Sequence, residues 1–461
     1  MKIVDTDNLA FGSGARPGMQ QTTPGAEFFR IPDRPDETDE IRGLREGAFE
    51  RFTILGFDVR GKEEWRYSDL KQVVGGGFRS SAEATTVNGM IAPAVEPAVD
   101  PTAENILPDI GGCRLVFVNG IYQSSVSHIQ EGTTGVHLEP LAGAELKPGF
   151  GELADFQEAP LTALNTACWS DGVLLELDEG VILEQPINMV FLTDERGDSE
   201  LVAPRNLIRI GSRSRATLIE NFVGAGSNNT LNAPVTEIVC AMESDLRHWK
   251  VIREGEGVLH YGSTHVTQAE GSRYTSGEFS FGGAMVRREL HLELNGQNAE
   301  CDLVSLVMAS GKERVDMRTR VDHRAPGCRT GKLYKGIYGG SSRGVFDGLI
   351  RVARDAQGTT AHQTNRALLL SDEAATSSIP RLEIYADDVK CSHGSTTGEL
   401  DEDQLFFLRS RGLDTATART LLAQAFAAEV LEIVDTEDLR DELNDQIVQM
   451  LANVPDQAVR S

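Results

Sequence analysis

The chain has 461 residues, 40% hydrophobic and 25% charged, a composition that fits a soluble globular protein of two or three domains. Its 44 Lys and Arg against 70 Asp and Glu give a net charge of -26; this excludes nucleic acid as a partner, because phosphate binding needs a basic face and no Lys/Arg cluster is present. The six cysteines are spread from Cys113 to Cys391 without a CxxC pair, which excludes a disulfide framework and a self-contained zinc finger. No apolar run approaches the ~18 residues of a membrane span and the start has no signal-peptide pattern, so the expectation is a cytoplasmic chain with reduced thiols.

Residues 1–37 are rich in Gly, Pro, Asp and Thr, show no period and read as a mobile tail. From Thr38 onward Ile41, Leu44, Ala48, Phe52 and Leu55 recur at three- and four-residue steps, which predicts an amphipathic helix stopping at Gly56. In EEWRYSDL, Glu63 to Leu70, Trp65 and Tyr67 are expected to anchor this helical unit on the main body. Ala, Pro, Thr and Glu dominate 80–109, a linker that completes an N-terminal helical domain over 38–111.

Leu115 to Tyr122, with Asn119-Gly120 at its centre, has the form of a hairpin. A short helix is expected around Leu161 to Ala167. After Asp171-Gly172 the chain becomes a series of short strand-like runs, from VLLEL (173–177) through MVRRELHLEL (285–294) and GVFDGLIRVA (344–353) to RLEIYA (381–386). No helical period interrupts them, which excludes a βαβ architecture and leaves a sandwich, a propeller or a β-solenoid. WD and kelch patterns are absent. Small and β-branched residues alternate with polar ones, and the choice is a stacked β-helix over 112–386.

Beyond that point the period returns to helix. Asp401 or Glu402, Asp414 and Asp435 are placed to cap three helices in a C-terminal domain over 387–461. Their apolar residues exceed what three helices can hide, so Phe406, Leu421, Leu422 and Phe426 are candidates for a docking surface. At the junction stand Cys391 and His393. Side chains two residues apart in an extended chain share a face, so thiol and imidazole have the geometry of half a metal site, with ligand types suited to zinc, copper or iron–sulfur clusters; a small buried Cys beside a solvated His accounts for the same spacing, because two ligands fall short of the usual four.

Other chemistry is weaker. Walker A is absent: Gly311-Lys312 and Gly331-Lys332 lack the following hydroxyl. GSGARPG near the start has no strand before it and no helix after it. Asp316, Arg318, Arg320 and Asp322 alternate on one strand face with His323 on the other. A polysaccharide lyase or hydrolase on a β-helix could use such groups, but a solvated face explains their alternating signs. His248, His260, His265 and His291 match no ligand spacing, and Cys113, Cys168, Cys240, Cys301 and Cys328 read as small buried hydrophobes.

The stretch ADDVKCSHGSTTGELDEDQLFFLRSRG, Ala386 to Gly412, resembles the SufB/SufD family of iron–sulfur cluster assembly proteins. EEWRYSDL, LVFVNGIYQSSVS, ALNTACWSDGVLLEL and GVFDGLIRVARDAQGTTAHQTNRALLLSDEA extend the likeness to most of the chain. KCSHG lies on the SufD side of the family. SufB carries an EHEA-type sequence there, and its proposed ligand cysteine lies in a QCDSLL segment where this chain reads QTNRALL, with Thr364 at the cysteine position. The resemblance implies a mainly β protein, a right-handed parallel β-helix between helical domains, acting as a non-catalytic scaffold subunit. It further implies pairing with a SufB-like subunit, docking of a SufC-like ABC ATPase on the C-terminal helices, and a transient cluster to which His393 contributes, with Cys391 second. Reduced flavin and iron acquisition belong to the same assembly. A homodimer of the isolated chain and a purely structural subunit remain open readings.

Overall fold

The computed structural model describes residues 29–452 apart from 33, 35–36, 58, 60, 69, 81–85, 88–89, 92–109, 131–132, 146–149, 195–198 and 225–228. Most of the expected tail, 1–28, and most of the expected linker lie outside the described residues. The end of that tail is packed rather than loose: the ring of Phe29, 4% exposed, stands edge-on against Phe52.

Helix α1, Asp39–Leu55, starts where the Thr38 hydroxyl accepts a hydrogen bond from the Ile41 N–H, and Gly56 ends it at φ 55. Only glycine adopts that conformation without strain. Helix α2 is the short Lys71–Gly75, and α3, Pro160–Cys168, is buried along its whole length. Arg45 of α1 is fully buried and donates to the carbonyls of Ala167 and Trp169, while its Nε reaches Glu37 at 2.6 Å. Arg34 and Arg45 both lie 4.1 Å from the Trp169 ring, so cation–π contact and carbonyl bonds together fix α1 on α3. Trp65 is an anchor, buried under the Arg287 guanidinium at 3.7 Å. Tyr67 is not: it is exposed, because Arg287 binds the Glu64 carbonyl and the Ser68 hydroxyl and turns the ring between them outward.

The body is a β-solenoid of about seven turns. Its strands alternate between two sheets, one ending in Ala375–Ile384 and the other in Val389–Gly398. Pairing within each main path is parallel except at the start, in the hairpin Cys113–Val118 with Ile121–Tyr122 and between Val136–Pro140 and Val173–Leu177. Asn119 and Gly120 make the hairpin turn at φ 48 and 79, the positive values a two-residue turn requires. Parallel strands put like positions on top of one another at the ~4.8 Å strand spacing. Phe117, Phe191 and Phe222 accordingly stack at 5.1 and 4.9 Å, and Asn221 donates to Asn188 at 2.7 Å on the adjacent turn.

The interior also holds charge. Glu220 accepts from Thr236 and pairs with His248 and with Lys250 at 3.1 Å. Lys332 donates to Thr319 and to Gln363. Each buried charge has partners, without which its desolvation would be prohibitive.

Helices cover both sheets. α1 and α3 lie over the first, and α5, Thr415–Leu431, and α6, Glu437–Ala452, over the second, below α4, Glu402–Ser410. Ala423, Ala427 and Val430 of α5 and Leu443 and Ile447 of α6 meet Trp249, Val251 and Phe279, which point out of the solenoid. Each large apolar side chain removed from water there contributes about 1.5–3 kcal/mol. Asp401 and Asp414 cap α4 and α5. Asp435 does not cap α6, because it is drawn into an ion pair with Arg247 on the solenoid; the first turn closes instead on Thr436, whose carbonyl accepts from the Arg440 N–H at 2.9 Å. The strands also run past the expected limit at residue 386. Val389–Gly398 pairs residue by residue with Thr359 to Leu368, so the helical part starts at Glu402.

Candidate functional site at the open end of the solenoid

Along Thr359–Leu369 the side chains of Ala361, Gln363, Asn365 and Ala367 are buried and the intervening ones are more exposed. The buried row therefore faces the interior. In the final strand Cys391 is in register with Ala361 and His393 with Gln363, and register in a parallel pair preserves the face. Cys391 and His393 thus belong to the inward row of the last turn, with Ser395 beyond them. Among the described residues no further strand follows in that sheet, which leaves His393 exposed on the side that is core in Thr359–Leu369.

The two groups differ. Cys391 is half-buried against the cluster that contains Ile350 and Ala361, and burial pushes its thiol up, partly offset by a backbone hydrogen bond from Ala361. A ligand must be thiolate, so Cys391 is the poorer donor and His393 the better. Among the described residues no group of three or more His, Cys, Asp or Glu is arranged to hold a metal. The groups at this end that could ligate are one imidazole and one thiol, two residues apart on the same row. Behind it, Gln363 is fixed by Lys332 at 3.2 Å and by the Gly348 carbonyl at 3.0 Å. Burial, against the weaker pull of Cys301 and Asp347, lowers the Lys332 ammonium to about 7.

The candidate docking residues separate into two groups. Phe406 is 72% exposed and Leu421 42%. Leu422 is half-buried and shares a shallow hollow with Phe407 and Leu408. Phe426 turns toward the solenoid, its ring 4.5 Å from the Lys335 ammonium, which also donates to the Phe426 carbonyl at 2.6 Å. Phe407, 55% exposed, is an apolar surface residue that the sequence reading passed over. Its signal was the Phe406-Phe407 doublet, which one helix face cannot bury.

The alternating Asp316, Arg318, Arg320 and Asp322 do not form a solvated face: Asp316 and Asp322 are buried. Asp316 is engaged by Arg287 at 3.3 Å, and Asp322 accepts from Arg320 at 3.0 Å. His323 points the other way and bonds to Thr330 at 2.8 Å inside the solenoid. His248 and His260 are also interior, paired with Glu220 and Glu254, whereas His265 and His291 stack at 4.9 Å on the outside. Cys168, Cys240, Cys301 and Cys328 are buried, and Cys113 half so.

The fold is a parallel β-solenoid flanked by helices, with an unpaired last turn that carries imidazole and thiol on its inward row. Residues 34–189 match the SufBD protein N-terminal region, and residues 191–426 match the SufBD core domain of SUF system FeS cluster assembly. The chain is 31% identical to iron-sulfur cluster assembly protein SufD of Escherichia coli over 86% of its own length and 90% of that protein. It is 33% identical to the chloroplastic protein ABCI7 of Arabidopsis thaliana over 90% of its length and 87% of the relative's, and 28% identical to the SufBD family protein slr0076 of Synechocystis. The chain belongs to the SufB/SufD family of iron–sulfur cluster assembly proteins. No helix among the described residues is long and apolar enough to cross a membrane.

Proposed function

We propose that this protein is a non-catalytic scaffold subunit on which an iron–sulfur cluster is built as cargo, with His393 supplying one ligand and a SufB-like partner supplying thiolate. The observation that carries the reading is the place of His393: the row it continues is core in the strand before it, Thr359–Leu369, and here it ends on an exposed imidazole at an unpaired edge. An exposed strand edge is a template for another chain, and a partner's sheet laid on it would enclose His393 as a further turn would. In the isolated chain a second copy could occupy the same edge. Imidazole suits cargo that must later leave, because all-thiolate sites hold clusters more firmly.

The exposed Phe406, Phe407 and Leu421, with Leu422 beside them, form the docking surface for a SufC-like ATPase, which brings the nucleotide energy that a chain without a P-loop cannot capture. Iron acquisition and reduced flavin enter through the same complex. The polysaccharide-enzyme alternative needs convergent free carboxylates, and its two on this chain are engaged, Asp316 by Arg287 and Asp322 by Arg320. The test is co-purification with SufB-like and SufC-like partners, followed by iron and sulfide analysis of complexes carrying His393 or His393→Ala. Equal iron and sulfide in the two complexes would reduce the protein to a purely structural subunit.

A further inference from the structure

Far from the open end, a cavity of about 430 Å³ lies between the outer face of the first sheet and the N-terminal segments. Its floor is supplied by three adjacent strands, Leu259–Gln268, Met285–Leu294 and Arg314–His323. Trp65, Leu161 and Val235 give it an apolar wall. Most charges on the floor are spent. Arg287 is committed to Glu289 and Asp316, Arg320 to Asp322, and Arg324 to Glu293.

Three groups are not. His265 is 8% exposed, and its Nε2 has no hydrogen-bond partner among the described residues; Ser263, also 8% exposed, leaves its hydroxyl equally unused. Arg318 makes a 3.6 Å ion pair to Asp347, whose carboxylate is already taken by Arg381 at 2.6 and 2.9 Å, and its register neighbour Glu289 is bound by Arg287 at 2.6 Å. Buried polar groups without partners cost about 1–3 kcal/mol each, and two of them two residues apart on one strand, Ser263 and His265, facing one cavity are what a ligand site looks like before it is filled. Burial, with His291 and Arg205 nearby, keeps the His265 imidazole neutral, so it meets a ligand by hydrogen bonding and not by charge. The lining carries six carboxylates, among them Glu64, Asp155 and Glu158 on the wall, against four arginines. That balance repels a polyphosphate and leaves a single guanidinium for a single negative charge.

We infer that this cavity binds a small carboxylic acid with a flat apolar body, its carboxylate held by Arg318, Ser263 and His265 and its body against Trp65 and Leu161. One guanidinium fork fits one carboxylate. The inference is independent of the cluster site, since none of these residues lies in the last turn.

Saturation-transfer NMR on the full-length chain tests it, with benzoate as the probe and benzamide and inorganic phosphate as comparisons. Benzoate is expected to receive saturation from the protein and benzamide to bind at least about tenfold more weakly, as loss of a charge-assisted hydrogen bond implies. Arg318→Met, a change at a partly exposed side chain, is expected to remove the benzoate signal while the circular dichroism melt stays at the wild-type value. No benzoate signal, equal signals from benzoate and benzamide, or a stronger response to phosphate would each overturn the inference. The benzoate–benzamide comparison uses the unmodified protein, so it decides even if the variant fails to fold.

Discussion

His393 lies one strand beyond Gln363, in register with it on the inward side of the solenoid, and the sheet ends there. Gln363 is 1% exposed and bonded on both ends of its amide, while His393 is exposed. One strand of cover separates a locked core side chain from an exposed imidazole. Replacing His393 with Ala removes no core area, so the melting temperature and co-purification with a SufB-like partner should stay at wild-type levels. Iron and sulfide in the reconstituted complex should fall. A drop in partner binding instead would make His393 an interface residue and not a ligand.

Arg287→Ala should loosen the N-terminal domain. Its guanidinium lies over Trp65 and bonds to Ser68, the Glu64 carbonyl, Glu289 and Asp316. Removing it takes the guanidinium from the buried Asp316, which keeps Ser68, and from the half-buried Glu289, which keeps His291, at a cost of up to about 3–5 kcal/mol. Hydrogen exchange at Glu63–Trp65 should accelerate before exchange in the solenoid changes. Uniform acceleration throughout would show that the anchor supports the whole body.

Stability should fall in two steps on acidification. Burial and the neighbouring Lys332, opposed by Asp322, depress His323 from 6.5 to about 4. Between those values the unfolded chain takes up a proton that the folded one refuses, so stability declines as pH falls from 6.5 toward 4, by up to about 3 kcal/mol. Burial alone would raise Glu220, but Lys250, His248 and Thr236 outweigh it and hold the carboxyl down to about 2. Its contribution is present above 4.5 and is lost from there toward 2. Urea titrations across this range should give a flattened upper step in His323→Gln; an unchanged slope would assign that step to other groups.

Phe406→Asp and Leu421→Asp should abolish capture of a SufC-like ATPase while changing stability by no more than about 0.5 kcal/mol, because both side chains are exposed. Phe426→Ala should behave in the opposite way, costing stability through its contact with Lys335. Retained ATPase capture by both aspartate variants would move the docking site elsewhere.

Much of this architecture could be read from residues alone. Thr38, Asp401 and Asp414 are caps because a short oxygen-bearing side chain before an apolar period has one local use, and Asn119-Gly120 makes its turn for an equally local reason. Asp435 failed because its partner, Arg247, lies far away in sequence. The final strand was hidden by its own role: Cys391, His393, Ser395 and Thr397 form an inward row with almost nothing apolar, since no further turn covers it. That Cys391 and His393 share a face was legible from their spacing of two, since the strand that carries them keeps register with Ala361 and Gln363. The cavity was not, because Leu259–Gln268, Met285–Leu294 and Arg314–His323 are set side by side only through the registry of successive turns.

The ion pairs beneath the C-terminal helices set how a mechanical load would travel. α6 is tied to Asp245–Arg253 through Glu442 and Arg253, and α5 to strands several turns further on through Glu429, which Lys335 and Arg366 share. A pull on this helical pair is shared among strands of several turns and is not carried by one edge alone. Whatever grips Leu421 on α5 is thereby coupled, through Glu429 and Arg366, to the strand that lies beside the one carrying His393.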